Sequence, residues 1–351
     1  MSRIFKLLFA ADLHIDSKYP NSAINQVTGL DIRLEDLSKK LFKMIEICKG
    51  RGAEAIVVAG DIFNDPNPDP IAQGVFIDFL IKCYNEKVHV FVIPGQHDIR
   101  GDYISFSALC KLTFWKEYIH LYLKPIVAKM GDCRIKFIPF GMFDDVKEND
   151  NTSDIIVMHG IPSGVSVNGI LMTGDTRINE FADKSKVAII GDIHLSVGNE
   201  DSHYLIPGSI MRLNFGEAND AKGICLLTME DGNPSENEFI DMEDRNYITL
   251  TITKDSDIEK LLNDINEGDI LRIFVGRKVN VTMLKEKIEE KKPLSYKILH
   301  SEELLNEECG VKVEEIDVLS KQKLRKVLMK FIKNKDLGQE VLSICEKELG
   351  L

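Results

Sequence analysis

Asp12-Leu13-His14, Gly60-Asp61, Gly95-Gln96-His97-Asp98, His159-Gly160 and Gly191-Asp192-Ile193-His194 follow one another along the chain, each at the end of an apolar run. Together they offer carboxylates, imidazoles and one side-chain amide. Hard-to-borderline divalent cations take such donors, and two cations held close together suit the hydrolysis of phosphate esters. One short motif of this kind carries little weight, whereas five in order point to a single centre.

The runs before the motifs explain how they could meet. Residues 4–11, 55–59, 88–93, 154–158 and 187–190 are almost continuously apolar, as strands buried on both faces are. In an open α/β sheet, functional groups gather beyond the carboxyl ends of the strands. Helical spacing of Leu34, Leu37, Leu41, Ile45 and Cys48, and again across residues 71–80, puts helices between the first strands. After about residue 130 the pattern turns strand-rich, at 134–140, 155–158, 187–190, 204–206 and 223–228. The expectation is a parallel half followed by a more antiparallel half, as two stacked sheets flanked by helices.

Composition fits a globular enzyme: 351 residues, 44% hydrophobic and 28% charged. No apolar run is long enough to span a bilayer, and no signal peptide is recognisable. Seven cysteines without paired spacing argue for a reducing, cytoplasmic setting and against structural zinc. The net charge of -12 implies that nucleic-acid affinity, if present, rests on a local basic surface, on bound cations or on a partner.

Three parts are expected. Residues 1–243 carry every motif. A polar stretch at Met242-Glu243-Asp244-Arg245 precedes a small β-α-β-α-β accessory domain at 244–310, and 311–351 reads as a helical segment. In that segment Leu324, Val327, Leu328, Phe331 and Ile332 form an apolar stripe. Between Lys321 and Lys335 lie six lysines, one arginine and no acid. Two readings lead, a docking helix for an acidic or helical partner or a helix packed on its own domain with solvated lysines, and a membrane-surface role comes third because no lipidation signal accompanies it.

The motif set resembles the calcineurin-like metallophosphoesterases. Val58-Ala59-Gly60-Asp61-Ile62-Phe63, Ile206-Pro207-Gly208-Ser209, Arg212-Leu213-Asn214-Phe215-Gly216-Glu217 and Lys222-Gly223 are similar to its SbcD-type recombination nucleases of bacteria and phages, the phage recombination-endonuclease subunit above all. This resemblance implies two Mn²⁺ ions, with Mg²⁺ as the alternative. Asp12, His14 and His194 would hold the first, Gln96, His159 and Asp192 the second, and Asp61 would bridge them. His97 would protonate the leaving 3′ oxygen with Asp98 orienting its ring, and Arg212 would either contact phosphate or pair with Glu217. Also implied are 3′-to-5′ exonuclease action on duplex ends, endonuclease action on single strands, an SMC-like coiled-coil ATPase partner and a homodimer. A DNA-end scaffold with a weakened second metal site, or a phosphoesterase for nucleotides and small esters, are the alternatives. The chain departs from the family at two positions: Gln96 stands where Asn is usual, and Asp192 where the pattern Gly-His-x-His has its first histidine.

Overall fold

A computed structural model describes residues 4–20, 24–112, 114–146, 153–167, 170–197 and 204–300. The chain divides into two compact units, Met1–Asn246 and Tyr247–Leu351.

The first unit is built on two facing sheets. Strands β1 (Ile4–Ala10), β2 (Ala55–Ala59), β3 (His89–Ile93) and β4 (Ile119–Leu121) run parallel, in that order across the sheet. Helices α1 (Ile32–Arg51) and α2 (Pro70–Asn85) make the crossovers between the first three. Both helices start as their sequences dictate. The Asp31 carboxylate accepts from the Arg33 N–H, and the Asp69 carboxylate accepts from Ile71 and Ala72 ahead of a proline in the first turn.

The second sheet holds β5 (Ile126–Met130), β6 (Cys133–Ile138), β7 (Ser153–His159), β8 (Ser185–Gly191) and β9 (Tyr204–Leu205) in sequence order. Leu7, Phe9, Val57 and Phe91 of one sheet and Ile135, Phe137, Val157 and Ile189 of the other form the apolar layer between them. Helix α3 (Thr176–Ala182) packs Ile178 and Ala182 on the outer face of the second sheet, against Ile156, Met158 and Ile190.

The expected division into a parallel and an antiparallel half is corrected here. β6, β7, β8 and β9 are mutually parallel, because α3 carries the chain back between β7 and β8. The antiparallel pairs of these two sheets are two edge hairpins and the contact of one of them with β1. One joins β5 to β6. The other joins β10 (Gly223–Glu230), which lies antiparallel to β1, to β11 (Asn233–Asp241). β11 carries almost no apolar signal, since an edge strand open to solvent needs none.

The polar stretch at 242–245 is fastened to α1. Lys40 Nζ donates to the carbonyls of Met242 (2.6 Å) and Glu243 (2.7 Å), and Arg245 Nε donates to Asp36 (2.6 Å).

The second unit opens with a parallel three-stranded sheet: β12 (Tyr247–Ile252), β13 (Ile270–Val275) and β14 (Ser295–His300). Helices α4 (Ile258–Leu262) and α5 (Val281–Glu290) cover one face through Ile258, Leu262, Leu284 and Ile288. Leu324, Val327, Leu328, Phe331 and Ile332 lie outside the described residues.

Candidate metal centre

The motifs at the ends of β1, β2, β3, β7 and β8 converge. Beyond β1 and β2 the pairing continues as a backbone ladder. Asp12 N–H donates to Gly60 (3.1 Å), His14 N–H to Asp61 (3.1 Å) and Ile15 N–H to Ile62 (3.0 Å). The buried Arg33 braces this turn, its Nη1 donating to the carbonyls of His14 (3.1 Å) and Ser17 (3.2 Å). Asp12, His14, Asp61 and Asp192 all take positive φ, at 52°, 43°, 50° and 101°. For residues with a Cβ this costs about 1–3 kcal/mol each, and such strain persists where the surroundings over-determine it. Close packing does so here. A Cβ on Gly95 would fall 2.2 Å from Asp61 Oδ1, and one on Gly60 2.1 Å from His159 Nδ1.

Two groups of donor atoms lie within 4.8 Å of one another: Asp12, His14 and His194, and Asp12, Asp61 and His159. In the first, the Nε2 atoms of His14 and His194 face each other at 3.2 Å, with the rings crossed at 71°. His194 Nδ1 lies 3.0 Å from Glu217 Oε1, which leaves Nε2 to face inward. Glu217 is held in turn by Lys222 Nζ (2.7 Å) and by the Leu213 N–H (3.1 Å). Burial alone would raise the Glu217 carboxyl, but the hydrogen bonds from His194 and Lys222 bring it down to about 2. Burial lowers His14 to about 3, so its ring is neutral and its lone pair available.

In the second group His159 is fully buried and its Nδ1 donates to the Ala59 carbonyl at 2.7 Å. Its Nε2 has no hydrogen-bond partner, yet it lies 3.3 Å from Asp61 Oδ1 and 3.8 Å from Asp192 Oδ1. Asp61 reaches both groups, since its Oδ2 is 3.8 Å from His14 Nε2. Burial disfavours a proton on His159, but Asp61, Asp12 and Asp192 outweigh it and hold the ring near 10. Burial pushes the Asp12 carboxyl up to about 7, with Asp61 and Asp192 adding to the rise. A buried, unpartnered nitrogen among carboxylates marks a place where positive charge is stabilised. These donors fit a divalent cation, which would displace the proton from Nε2.

Gln96 and Asp192 meet as expected, but the amide donates to the carboxylate (Nε2 to Oδ1, 2.9 Å), and Gln96 is exposed. The Asp192 N–H donates to Asp12 Oδ1 (3.0 Å), tying the loop after β8 to that after β1.

His97 stands beside His14, ring centroids 5.1 Å apart, and its N–H donates to Asp61 Oδ1 (2.9 Å). Its orienting partner is not Asp98. The Asp98 carboxylate is buried and saturated by the N–H groups of Ile62 (3.1 Å), Phe63 (3.0 Å) and Gly95 (3.0 Å) and by the Ser105 hydroxyl (3.2 Å). Asp98 therefore clamps two loops, while the Asn64 carbonyl meets His97 Nδ1 at 3.0 Å. Arg212 is corrected too. Its guanidinium donates to the carbonyls of Glu217 (3.1 Å), Arg245 (3.1 Å) and Asp220 (2.8 Å) and lies 3.6 Å from Asp244. Those contacts fix a loop, and the pairing with Glu217 is through that residue's backbone. Sequence reasoning passed over Glu217, Lys222 and Asn64 as parts of the site. The Arg212-to-Glu217 and Lys222-Gly223 motifs were the available signal.

The family model for calcineurin-like phosphoesterases matches residues 5–195, and the chain belongs to that family. The fold and the donor groups make it a metal-dependent phosphoesterase. The DNA double-strand break repair protein Mre11 of Nanoarchaeum equitans is 24% identical over 72% of this chain and 73% of its own length. That of Methanococcus maripaludis is 21% identical over 88% and 87%. Among solved structures, TT1561 of Thermus thermophilus has a TM-score of 0.46 at 12% identity, covering 69% of this chain and 100% of that one. Among the described residues no helix is long and apolar enough to cross a membrane.

Proposed function

We propose that this chain is a DNA nuclease, the catalytic subunit of an SbcD-type recombination and repair complex. The observation that carries the reading is the convergence of Asp12, His14, Asp61, His159, Asp192 and His194 around unpartnered imidazole nitrogen. Similarity to relatives named for double-strand break repair supports DNA as substrate. Asp12, His14 and His194 would hold one Mn²⁺ (Mg²⁺ is the alternative), His159, Asp192 and Gln96 would hold a second, and Asp61 would serve both. Paired dications lower the pKa of water and neutralise phosphate charge. The protein's own residues do the rest. Carboxylates on a strained, close-packed backbone keep the donors in place, and His97, tied at Nδ1 to the Asn64 carbonyl, gives a proton from Nε2 to the leaving 3′ oxygen. Exonuclease action on duplex ends, endonuclease action on single strands, a homodimer, a cytoplasmic setting and docking to an SMC-like ATPase through Leu324, Val327, Leu328, Phe331 and Ile332 belong to the same reading, as does a DNA-capping role for the accessory domain.

The test is cleavage of duplex and single-stranded DNA with Mn²⁺, beside a phosphomonoester, by wild type and His97→Ala. DNA cleavage that falls ~10²–10⁴-fold in the variant, with metal affinity intact, is expected. Turnover of the monoester alone, or a His97 variant at wild-type rate, would overturn it. The Gln96–Asp192 hydrogen bond favours a second reading, a DNA-end scaffold whose second metal site is weak because those residues satisfy each other. Only one Mn²⁺ bound at saturation, with no cleavage, would select it.

A further inference from the structure

The backbone ladder between the turn after β1 and the turn after β2 ends at Ile15 and Ile62, and there a side chain takes over. The Asp16 carboxylate accepts the N–H of Asn64 through Oδ1 (2.5 Å) and that of Asp65 through Oδ2 (3.2 Å). The next carbonyl in that loop, of Asn64, is the one that meets His97 Nδ1 at 3.0 Å. Among the described residues no other hydrogen bond to the His97 ring is made. The direction of that ring therefore depends on where the loop at Asn64 lies; Asp98 holds this loop at Ile62 and Phe63, and Asp16 holds it at Asn64 and Asp65, on either side of the Asn64 carbonyl.

We propose that Asp16 is a positioning residue for His97. By gripping successive N–H groups of the loop it fixes the Asn64 carbonyl, which receives Nδ1–H and leaves Nε2 as the nitrogen that gives up its proton. This rests on the reading of His97 as general acid. In the step itself the Nε2–H bond breaks and an O–H bond forms on the leaving oxygen as the P–O bond to that oxygen breaks. The P–O electrons leave with the alcohol, and the imidazole ends neutral with its Nδ1–H still donated to the Asn64 carbonyl. Water is the one co-reactant: its oxygen forms the new bond to phosphorus as the old one breaks, and the proton it loses passes to solvent. Asp98, the neighbour in sequence, does not contact the His97 ring, because its oxygens are already filled; it holds the start of the same loop at Ile62 and Phe63.

A leaving group that needs no proton separates this role from a merely structural one. Full-length wild type, Asp16→Ala, Asp16→Asn and His97→Ala are compared with Mn²⁺ on DNA, whose alkoxide must be protonated, and on bis(p-nitrophenyl) phosphate, whose phenolate leaves unaided. Misplacing a reacting group by an ångström costs about 10²-fold, so Asp16→Ala should lose about that in kcat on DNA. The aryl diester and Mn²⁺ affinity should change little. Asp16→Asn keeps an acceptor for one N–H and should recover much of the loss, which also answers for any folding defect in the alanine variant. Equal losses on both substrates, or none on DNA while His97→Ala remains selective, would overturn the role of Asp16 alone. If His97→Ala is itself insensitive to the leaving group, the general-acid reading falls with it.

Discussion

Two pairs of histidines bring ring nitrogens equally close, and only one pair sits in a metal-binding environment. His14 and His194 approach at 3.2 Å with rings crossed at 71° and centroids 5.1 Å apart. His89 and His120, on neighbouring strands β3 and β4, approach at 3.3 Å with rings inclined by only 12° and centroids 5.6 Å apart. The surroundings differ more than the geometry. Asp12, Asp61 and Glu217 face the first pair, whereas Phe91, Tyr118 and Tyr122 pack on the second. Burial lowers His120 to about 4, with His89 adding to the fall. Paired imidazoles are therefore not enough; the carboxylates supply the charge a dication needs, and the Glu217 acceptor on the far nitrogen of His194 turns that ring's lone pair inward.

Removing the acid between the two donor groups should have the largest effect. Asp61→Ala takes away a carboxylate that reaches both groups, with oxygens 3.3 Å from His159 and 3.8 Å from His14. Loss of detectable cleavage and of high-affinity Mn²⁺ uptake by calorimetry is expected. A variant that still takes up metal as wild type does would place the shared ligand elsewhere, and Asp12, common to both donor groups, is the next candidate.

A smaller effect is expected one shell out. Glu217→Gln keeps the size of the side chain but loses the charge that draws the His194 Nδ1 proton and balances Lys222. Outer-shell partners of this kind are worth about 10–100-fold in metal affinity. Mn²⁺ titration should show that loss with the fold unchanged, whereas an unaltered affinity would mean that the Lys222 contacts to the His194 carbonyl (2.9 Å) and to Ser209 (3.0 Å) already suffice.

What could be read in advance divides along physical lines. The strands that end in the motifs are buried on both faces, so β1, β2, β3, β7 and β8 announce themselves as unbroken apolar runs, and the donors follow at their ends. β11 could not be seen that way, because its exposed edge is polar. Strand direction in the second sheet was misread because the seven-residue α3 is too short to show a clear helical period between β7 and β8. Asp98 was credited to His97 because it is adjacent in sequence. Its partners are backbone N–H groups, which carry no side-chain signature. The reach from His194 to Glu217 spans 23 positions and closes only in three dimensions.

The smallest expected effect belongs to the second histidine pair, and pH resolves it. His120 has its folded pKa lowered from 6.5 to about 4 by burial and by His89. Between those values the unfolded chain binds the proton that the folded chain refuses, so stability rises with pH through this window and is lost as pH falls from about 6.5 toward 4. His120→Phe removes the titrating ring and keeps a flat partner for Phe91, 4.5 Å away in the wild type. Urea unfolding of the metal-free protein at pH 8 and pH 5 then isolates the contribution. The hydrogen bond lost with the ring counts at both pH values and largely cancels in the difference, and so do the titrations of Asp12 and His159. The variant should lose less stability than wild type between the two pH values, by no more than about 1 kcal/mol once water on the open side of the ring is allowed for. Its Mn²⁺ affinity should match wild type. An identical pH response in the two proteins would show that the His89–His120 pair is not held neutral by its aromatic surroundings, and weakened metal uptake would erase the contrast between the two pairs.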